Sequence, residues 1–241
     1  MKKSITTSFA ILWALALFAQ EPADKQEYKN EVGFELLGVF NKDFQVTYER
    51  ALGRYISISG GFGYKIENGI ITLTGLQTES IQIDDVDYSG PKINLSAKYY
   101  LREIRGGKMT GFYFGAFLKF QNYDSNVTGD YINDAAEEFV VDFDADLGIR
   151  TLGLMVGYKA AISKRFIVDF LIFGPGASRH RYKIRENVPL PDEFYDDLND
   201  ALNKYGLIDL LDGEYTFDGQ TRETKFSIPG FRYGISIAYA F

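Results

Sequence analysis

Residues Phe231 to Phe241 read FRYGISIAYAF, and this stretch decides the fold. Its even-numbered positions are small or polar, whereas its odd-numbered positions are large and apolar: Phe231, Tyr233, Ile235, Ile237, Tyr239 and Phe241. Alternation with period two indicates a β-strand, because successive side chains of a strand point to opposite faces. A soluble protein gains little from an aromatic end, since chain termini tend to fray. A closed barrel in a bilayer needs such a strand, with one face toward lipid and the other toward the lumen.

The same stretch resembles the assembly signal in the last strand of outer-membrane barrels of Gram-negative bacteria. The resemblance rests on the alternating apolar positions from Tyr233 to Tyr239 and on the final Phe241. It implies recognition by the barrel-assembly machinery. It also implies residence in the outer membrane, where the partners are outer-membrane lipids and lipopolysaccharide.

The first residues of the chain predict export. Lys2 and Lys3 precede an apolar run from Phe9 to Phe18, and Ala19 completes a cleavage site. The run is too short to span a bilayer as a helix. We therefore predict a signal peptide at 1–19, a periplasmic tail at 20–29 and one barrel domain at 30–241.

Composition excludes several classes of function. The chain contains no cysteine, so disulfides, thiolate nucleophiles and cysteine-based metal sites are excluded. Its formal net charge is −7, without a basic stripe, which argues against nucleic-acid binding. We expect no cofactor.

The alternation recurs along the chain and predicts an all-β, eight-stranded antiparallel up-and-down transmembrane β-barrel. The other predicted strands are 30–40, 44–52, 55–66, 92–101, 110–121, 147–161 and 165–173. Short turns alternate with long polar stretches at 67–90, 122–146 and 185–220. Short periplasmic turns and long external loops are typical of outer-membrane barrels. A soluble, lipocalin-like barrel would instead bury its apolar residues inside.

A second resemblance lies in the first strands. YERALG at 48–53, followed by ISI at 56–58 and GFGY at 61–64, resembles small outer-membrane β-barrel families of unknown function. These porin-like families occur in gliding and gut Gram-negative bacteria. The resemblance implies fold and location, and it brings no catalytic residues. Because some similar barrels belong to secretion machinery, it also implies an accessory role in such a complex.

The faces predicted to point into the lumen carry charges of both signs. They are Glu35, Glu49, Lys65, Lys98, Lys119, Lys159, Asp169 and Arg232. Side chains fill the interior of an eight-stranded barrel, and an unpaired buried charge costs several kcal/mol. We therefore favour a salt-bridged plug over the alternative, a path for protons or ions.

One pair of residues raises an enzymatic alternative. Ser178 and His180, the only histidine, would share a strand face near the outer end of the barrel. A serine nucleophile needs an adjacent base that a third group orients, as a barrel enzyme that modifies lipid A acyl chains would require. The flanking Arg179, Arg181 and Lys183 would lower the basicity of the histidine and suit the phosphates of lipopolysaccharide better. We therefore expect a non-catalytic structural or interaction protein, with a lipid A-modifying enzyme or a small pore as alternatives.

The second polar stretch is strongly acidic. Asp142, Asp144 and Asp146 would share one face of an extended segment and present oxygen ligands to a hard cation. The stretch lacks the glycine and the distal glutamate of an EF-hand loop. We favour a solvated acidic surface, and we predict no metal site.

The third polar stretch predicts a helix. Pro191 suits a first turn, Asp192 and Glu193 complement the helix dipole, and Gly206 would end the helix. One face of this helix would be apolar, formed by Phe194, Leu198, Leu202 and Tyr205. That face is either part of a lid over the barrel mouth or a docking surface for a protein partner at the external loops.

Overall fold

The structure is a computed structural model that describes residues 28–67, 76–84, 86–104, 108–204 and 223–241. The predicted signal peptide, most of the predicted tail and Tyr205 lie outside these residues. Within them, no helix is long and apolar enough to cross a membrane.

Strands make up most of the described chain. They are β1 (Asn30–Glu35), β2 (Asp43–Ala51), β3 (Ile56–Lys65), β4 (Ile81–Ile83), β5 (Tyr88–Tyr100), β6 (Gly111–Ile132), β7 (Glu138–Ala161), β8 (Phe166–Glu186) and β9 (Glu223–Ala240). A 3-10 turn spans Leu37–Asn41, and one α-helix, α1, spans Asp192–Lys204.

Eight strands close into a ring in the order β6-β5-β3-β2-β1-β9-β8-β7, with β7 paired to β6. Every neighbouring pair is antiparallel. The last strand closes the ring, because β9 pairs with β1 on one side and with β8 on the other. The predicted eight-stranded antiparallel barrel is therefore confirmed. The short β4 lies outside the ring and pairs with residues 129–131 of β6.

The outer and inner faces of the wall have opposite character, as the alternation predicts. We call the end of the barrel that carries Asn30 and Ala240 the lower end. Large apolar side chains cover the outer face, among them Val46, Phe62, Leu95, Phe114 and Leu154. The inner face buries polar and charged side chains, including Glu49, Lys98 and Lys159.

The external part of the molecule differs from the prediction. Strands β6 and β7 pair without a break from Gly111 opposite Lys159 to Ile132 opposite Glu138. The predicted loop over 122–146 is therefore wrong, because most of it is a β-hairpin with its turn at 133–137. Below its tip, its outward positions are polar and its inward positions include Val127 and Phe143, the reverse of the pattern of a strand in lipid.

Several other strand bounds also differ from the prediction. Strand β5 begins at Tyr88 rather than at residue 92, β8 runs to Glu186 rather than to residue 173, and β9 begins at Glu223 rather than at residue 231. Strand β1 ends at Glu35 rather than at residue 40, since the chain enters the 3-10 turn and then reverses at Lys42, whose φ is 52°. In β8, the register with β9 shifts between Leu171 and Gly174. This irregularity turns Phe173 outward, where it is half exposed, although strict alternation from Ile167 would point it into the lumen.

Candidate functional site

The lower half of the lumen holds five charged side chains, which we call the inner network. They come from inward positions of β1, β2, β5, β7 and β8: Glu31, Glu49, Lys98, Lys159 and Asp169. Because the strands are antiparallel neighbours or face one another across a narrow ring, residues distant in sequence meet here.

The charges of the inner network form a continuous chain of ion pairs. Lys159 Nζ lies 2.6 Å from Glu31 Oε2 and 2.7 Å from Glu49 Oε2. Lys98 Nζ lies 2.8 Å from the same Glu49 oxygen and 2.9 Å from Asp169 Oδ2. Positive and negative groups therefore alternate across the barrel, with Glu49 at the centre.

Neutral hydroxyl groups add hydrogen bonds to two of the carboxylates, Glu49 and Asp169. Ser57 and Tyr100 donate to Glu49 Oε1 over 2.5 and 2.7 Å. Tyr113 donates to Asp169 Oδ1 over 2.8 Å, and its ring centre lies 4.7 Å from Lys98 Nζ. Charged groups at this depth need such partners, since burial removes their contact with water.

The inner network leaves little open space. A cavity of about 50 Å³ lies among its side chains, and that volume holds no more than a few water molecules. Three carboxylates face two ammonium groups, and Glu31 Oε1 is buried without a hydrogen-bond partner among the described residues. The side chains of the inner network therefore fill most of the lower lumen.

The upper half of the lumen is richer in cations. Lys92 Nζ lies 2.5 Å from Asp43 Oδ1, whereas Lys119 forms no ion pair with any described residue. Arg232 places its guanidinium 5.3 Å from the ring centre of Phe117. The side chains here are therefore less regularly paired than those of the inner network.

Two further predicted lumen residues contact the backbone of the upper half. Lys65 Nζ lies 4.4 Å from the ring centre of Tyr88 and donates to the carbonyl of Ile66 over 3.4 Å. Glu35 accepts hydrogen bonds from the amide of Ile235 over 3.0 Å and from the hydroxyl of Ser236 over 3.3 Å.

The structure thus divides the predicted lumen residues between two levels. Glu49, Lys98, Lys159 and Asp169 belong to the inner network, and the predicted remainder lie above it: Glu35, Lys65, Lys119 and Arg232. Sequence reasoning missed Glu31 and Lys92. Both stand close to strand ends, yet the alternation with Gly33 and with Asn94 places them on inward faces.

An apolar cluster lies at the upper end of the barrel, and we call it the outer cap. It joins β4, the extended β6–β7 hairpin and α1 through Ile81, Ile83, Val127, Tyr131, Val141, Phe143, Ala145, Phe194, Tyr195 and Leu198. Phe194 is fully buried, with its ring centre 5.2 Å from that of Tyr131. Tyr131 also donates to Asp197 Oδ2 over 3.0 Å, and burial together with this bond raises the pKa of Tyr131.

At Phe194 and Leu198, the apolar face of α1 is not the docking surface that one of our two interpretations predicted. A docking surface requires exposed apolar side chains, but Phe194 and Leu198 are buried against the barrel's own hairpin. Packing against β6 and β7 favours this arrangement, because it removes both side chains from water. The helix forms a lid at these positions, and the side chains of Leu202 and Tyr205 lie outside the described residues.

The serine and histidine of the enzymatic alternative have other partners. Ser178 is buried, and its hydroxyl lies 2.7 Å from that of Thr151. The His180 ring stacks on Phe226 with 5.0 Å between centroids. In the described part of the chain, no hydrogen bond connects Ser178 to His180.

The acidic face of the hairpin is occupied by protein donors. Asp142 accepts from Asn126 and from Asn187, each over 3.0 Å, and these bonds hold the pKa of Asp142 below its usual range. Asp144 lies 3.8 Å from Arg185. Over the described ranges, no group of three His, Asp or Glu side chains is arranged to hold a metal ion.

Comparison with known proteins gives one distant likeness. No family model matches the chain, and no curated protein is significantly similar to it. Among solved structures, the chain is similar to the crystal structure of Acinetobacter baumannii CarO, with 11% identity and a TM-score of 0.38, over 88% of this chain and 96% of that chain. At this distance, the function has to be argued from the site itself.

Proposed function

We propose that this protein is a closed, non-catalytic β-barrel of the Gram-negative outer membrane that acts at the cell surface as a structural or interaction protein. The observation that carries the proposal is the inner network, in which every charged side chain lies within 2.9 Å of an opposite charge. Paired charges in the lumen stabilise the barrel wall. Any binding of partners would then use the exposed surface of the molecule.

The outer face of the wall supports a membrane location. Along β7 and its lower turn, Ile162, Leu154 and Leu152 are each more than 60% exposed. Ile162 lies ten positions after Leu152. At about 3.3 Å per residue and a tilt of about 40°, they rise roughly 25 Å, the height of the apolar band of an outer-membrane barrel.

The lumen offers no support for a pore. A conducting barrel needs a continuous, water-filled interior, whereas an eight-stranded barrel is narrow enough for its side chains to fill it. Here the inner network fills the lower half, and water or ions would have to displace its paired charges.

The extended hairpin provides a surface for a protein partner. Beyond the apolar band, its tip exposes Val140 (60%) and Ile132 (38%) beside a hollow of about 370 Å³. Exposed apolar side chains rimmed by polar groups are typical of interaction sites. An accessory subunit of a secretion or surface complex would use such a tip.

Co-purification from gently solubilised outer membranes tests this role. We would compare the tagged protein with Val140→Glu at the tip and with Val188→Glu, a matched change of another exposed external valine. Partners that are lost with Val140→Glu and kept with Val188→Glu would support the tip as the interaction surface. A lone, heat-modifiable monomer from all three proteins would contradict the interaction role.

The lipid A alternative has its own test. Because Ser178 pairs with Thr151, we expect His180→Ala to leave the acylation pattern of lipid A unchanged in a mass spectrum of whole cells. A changed pattern that wild-type protein restores would contradict the non-catalytic assignment.

A further inference from the structure

Four cationic side chains lie together on the outward face, at mid-height of β7, on the upper half of β8 and near the upper end of β9, and we call them the outer cationic cluster. Arg150 lies directly opposite Arg179 across β7 and β8. Arg181 lies directly opposite Lys225 across β8 and β9. Arg179 and Arg181 are two residues apart on one strand, so the two pairs adjoin. All four side chains are exposed.

The opposition of Arg150 and Arg179 is electrostatically unfavourable, because like charges directly opposite each other destabilise a sheet. The other cross-strand neighbours provide no compensation, since Arg150 faces Phe120 and Arg179 faces Ser227. Among the described residues, neither arginine forms an ion pair. The nearby carboxylates are higher on the strands, where Asp146 is opposite Lys183 and Asp144 is opposite Arg185. An anionic ligand would remove the repulsion.

The height of the cluster indicates where this anion comes from. Leu152 lies two residues below Arg150 on the same outward face, and Ala177 lies two residues below Arg179. Leu152 is 62% exposed and marks the top of the apolar band. The cationic side chains therefore begin where hydrocarbon gives way to lipid headgroups, the position at which an outer-leaflet lipid presents its phosphates.

The wall below the cluster offers room for an acyl chain. An apolar hollow of about 520 Å³ lies there, lined by Ala116, Leu152, Gly153, Leu154, Pro175 and Gly176. A second hollow of about 560 Å³ shares Ala116 and Leu152 with the first. The two hollows together form a groove on the outward side of β2, β3, β5, β6, β7 and β8.

We propose that the outer cationic cluster and the groove below it bind a phosphorylated glycolipid of the lipid A type. Phosphate oxygens would contact Arg150, Arg179, Arg181 and Lys225, and an acyl chain would occupy the groove. Arginine suits this task because its planar guanidinium donates two parallel hydrogen bonds to a phosphate. The inference rests on the proposed outer-membrane location, and it adds the lipid class and the residues that recognise it.

The test uses the full chain, purified in a neutral detergent and titrated with three probes: bis-phosphorylated lipid A, the same lipid without phosphates, and inorganic phosphate. The variants are Arg150→Gln/Arg179→Gln, Arg181→Gln/Lys225→Gln and the combination of both. The matched control is Arg102→Gln/Lys164→Gln, which removes two exposed charges at the lower end.

We expect the wild type and the control to bind bis-phosphorylated lipid A with equal affinity. The combined variant should weaken that affinity by about tenfold or more, because a hydrogen bond to a charged group contributes at least that factor. Without lipid, Arg150→Gln/Arg179→Gln should melt at an unchanged or higher temperature, since it has lost a like-charge pair. Each double variant should lose part of the lipid A affinity, so the test stands even where the combined variant does not fold.

Three results would overturn the proposal. If the combined variant bound lipid A with the affinity of the wild type, the cluster would not be the binding site. If the wild type bound the lipid without phosphates as tightly as bis-phosphorylated lipid A, the phosphates would not be recognised. Equal stabilisation by inorganic phosphate alone would show an adventitious anion site without a lipid. None of these results bears on the closed lumen or on the hairpin tip, which conductance and co-purification test separately.

Discussion

The inner network and the outer cationic cluster place charges on opposite faces of the same wall and arrange them in opposite ways. Inside, Lys98 and Lys159 each contact two carboxylates within 2.9 Å. Outside, Arg150 is directly opposite Arg179. A buried charge without a partner costs several kcal/mol, whereas like charges on a wet sheet surface cost less than about 1 kcal/mol per pair. Buried charges must therefore pair with opposite charges. Solvent-exposed charges such as Arg150 and Arg179 can stay without such a pair and contact a ligand.

The largest effect should follow from Lys159→Met. This change removes the partner that Glu31 and Glu49 share, and it leaves buried carboxylates uncompensated. We expect a loss of about 3–5 kcal/mol in the free energy of unfolding, measured by urea titration in lipid vesicles. Lys119→Met is the matched control, because Lys119 forms no ion pair with a described residue and its removal should cost less than about 1 kcal/mol. Equal losses of unfolding free energy in Lys159→Met and Lys119→Met would contradict the claim that ion pairing in the inner network stabilises the barrel.

A somewhat smaller and more local effect should follow from Phe194→Ala. Phe194 is fully buried in the outer cap, and loss of a buried phenyl ring costs about 3 kcal/mol where the site cannot collapse. Hydrogen exchange should rise in α1 and in the upper parts of β6 and β7, while β1 and β2 keep their protection. A uniform rise along the whole barrel would contradict a separate cap.

Within the inner network, Glu31 should matter less than Glu49. Glu49 accepts from two lysines, Ser57 and Tyr100, whereas the one hydrogen bond of the Glu31 side chain among the described residues comes from Lys159. Glu31→Gln also brings the charges of the network into balance. We expect it to cost less than about 1.5 kcal/mol, and Glu49→Gln to cost more than about 3 kcal/mol, in the same urea titration. The reverse order would contradict the central position of Glu49.

The smallest effect should come from Arg185→Gln. Arg185 and Asp144 form an exposed pair at 3.8 Å, outside both the network and the cluster. Such pairs contribute about 0–1 kcal/mol and are screened by salt. We expect no measurable change in unfolding at physiological ionic strength, and a loss of several kcal/mol would show that this surface pair belongs to a larger network.

Sequence reasoning found the barrel because lipid and lumen impose a simple alternation. Glu49, Lys98 and Lys159 fall on the small or polar face of clean strands, and the structure brings them together. The extended hairpin was missed because its outward face meets water, which inverts the pattern along 122–146. The opposition of Arg150 and Arg179 depends on the strand register, and one residue of slip would turn every side chain to the other face.

Single-channel recording in planar bilayers tests the closed lumen most directly. The full-length protein should give no stable conductance steps, and neither should Phe194→Ala, because the inner network stays in place when the outer cap is loosened. Stable, uniform steps from the wild-type protein would contradict the account, and a change of their ion selectivity in Lys98→Met would identify the inner network as the lining of a pore.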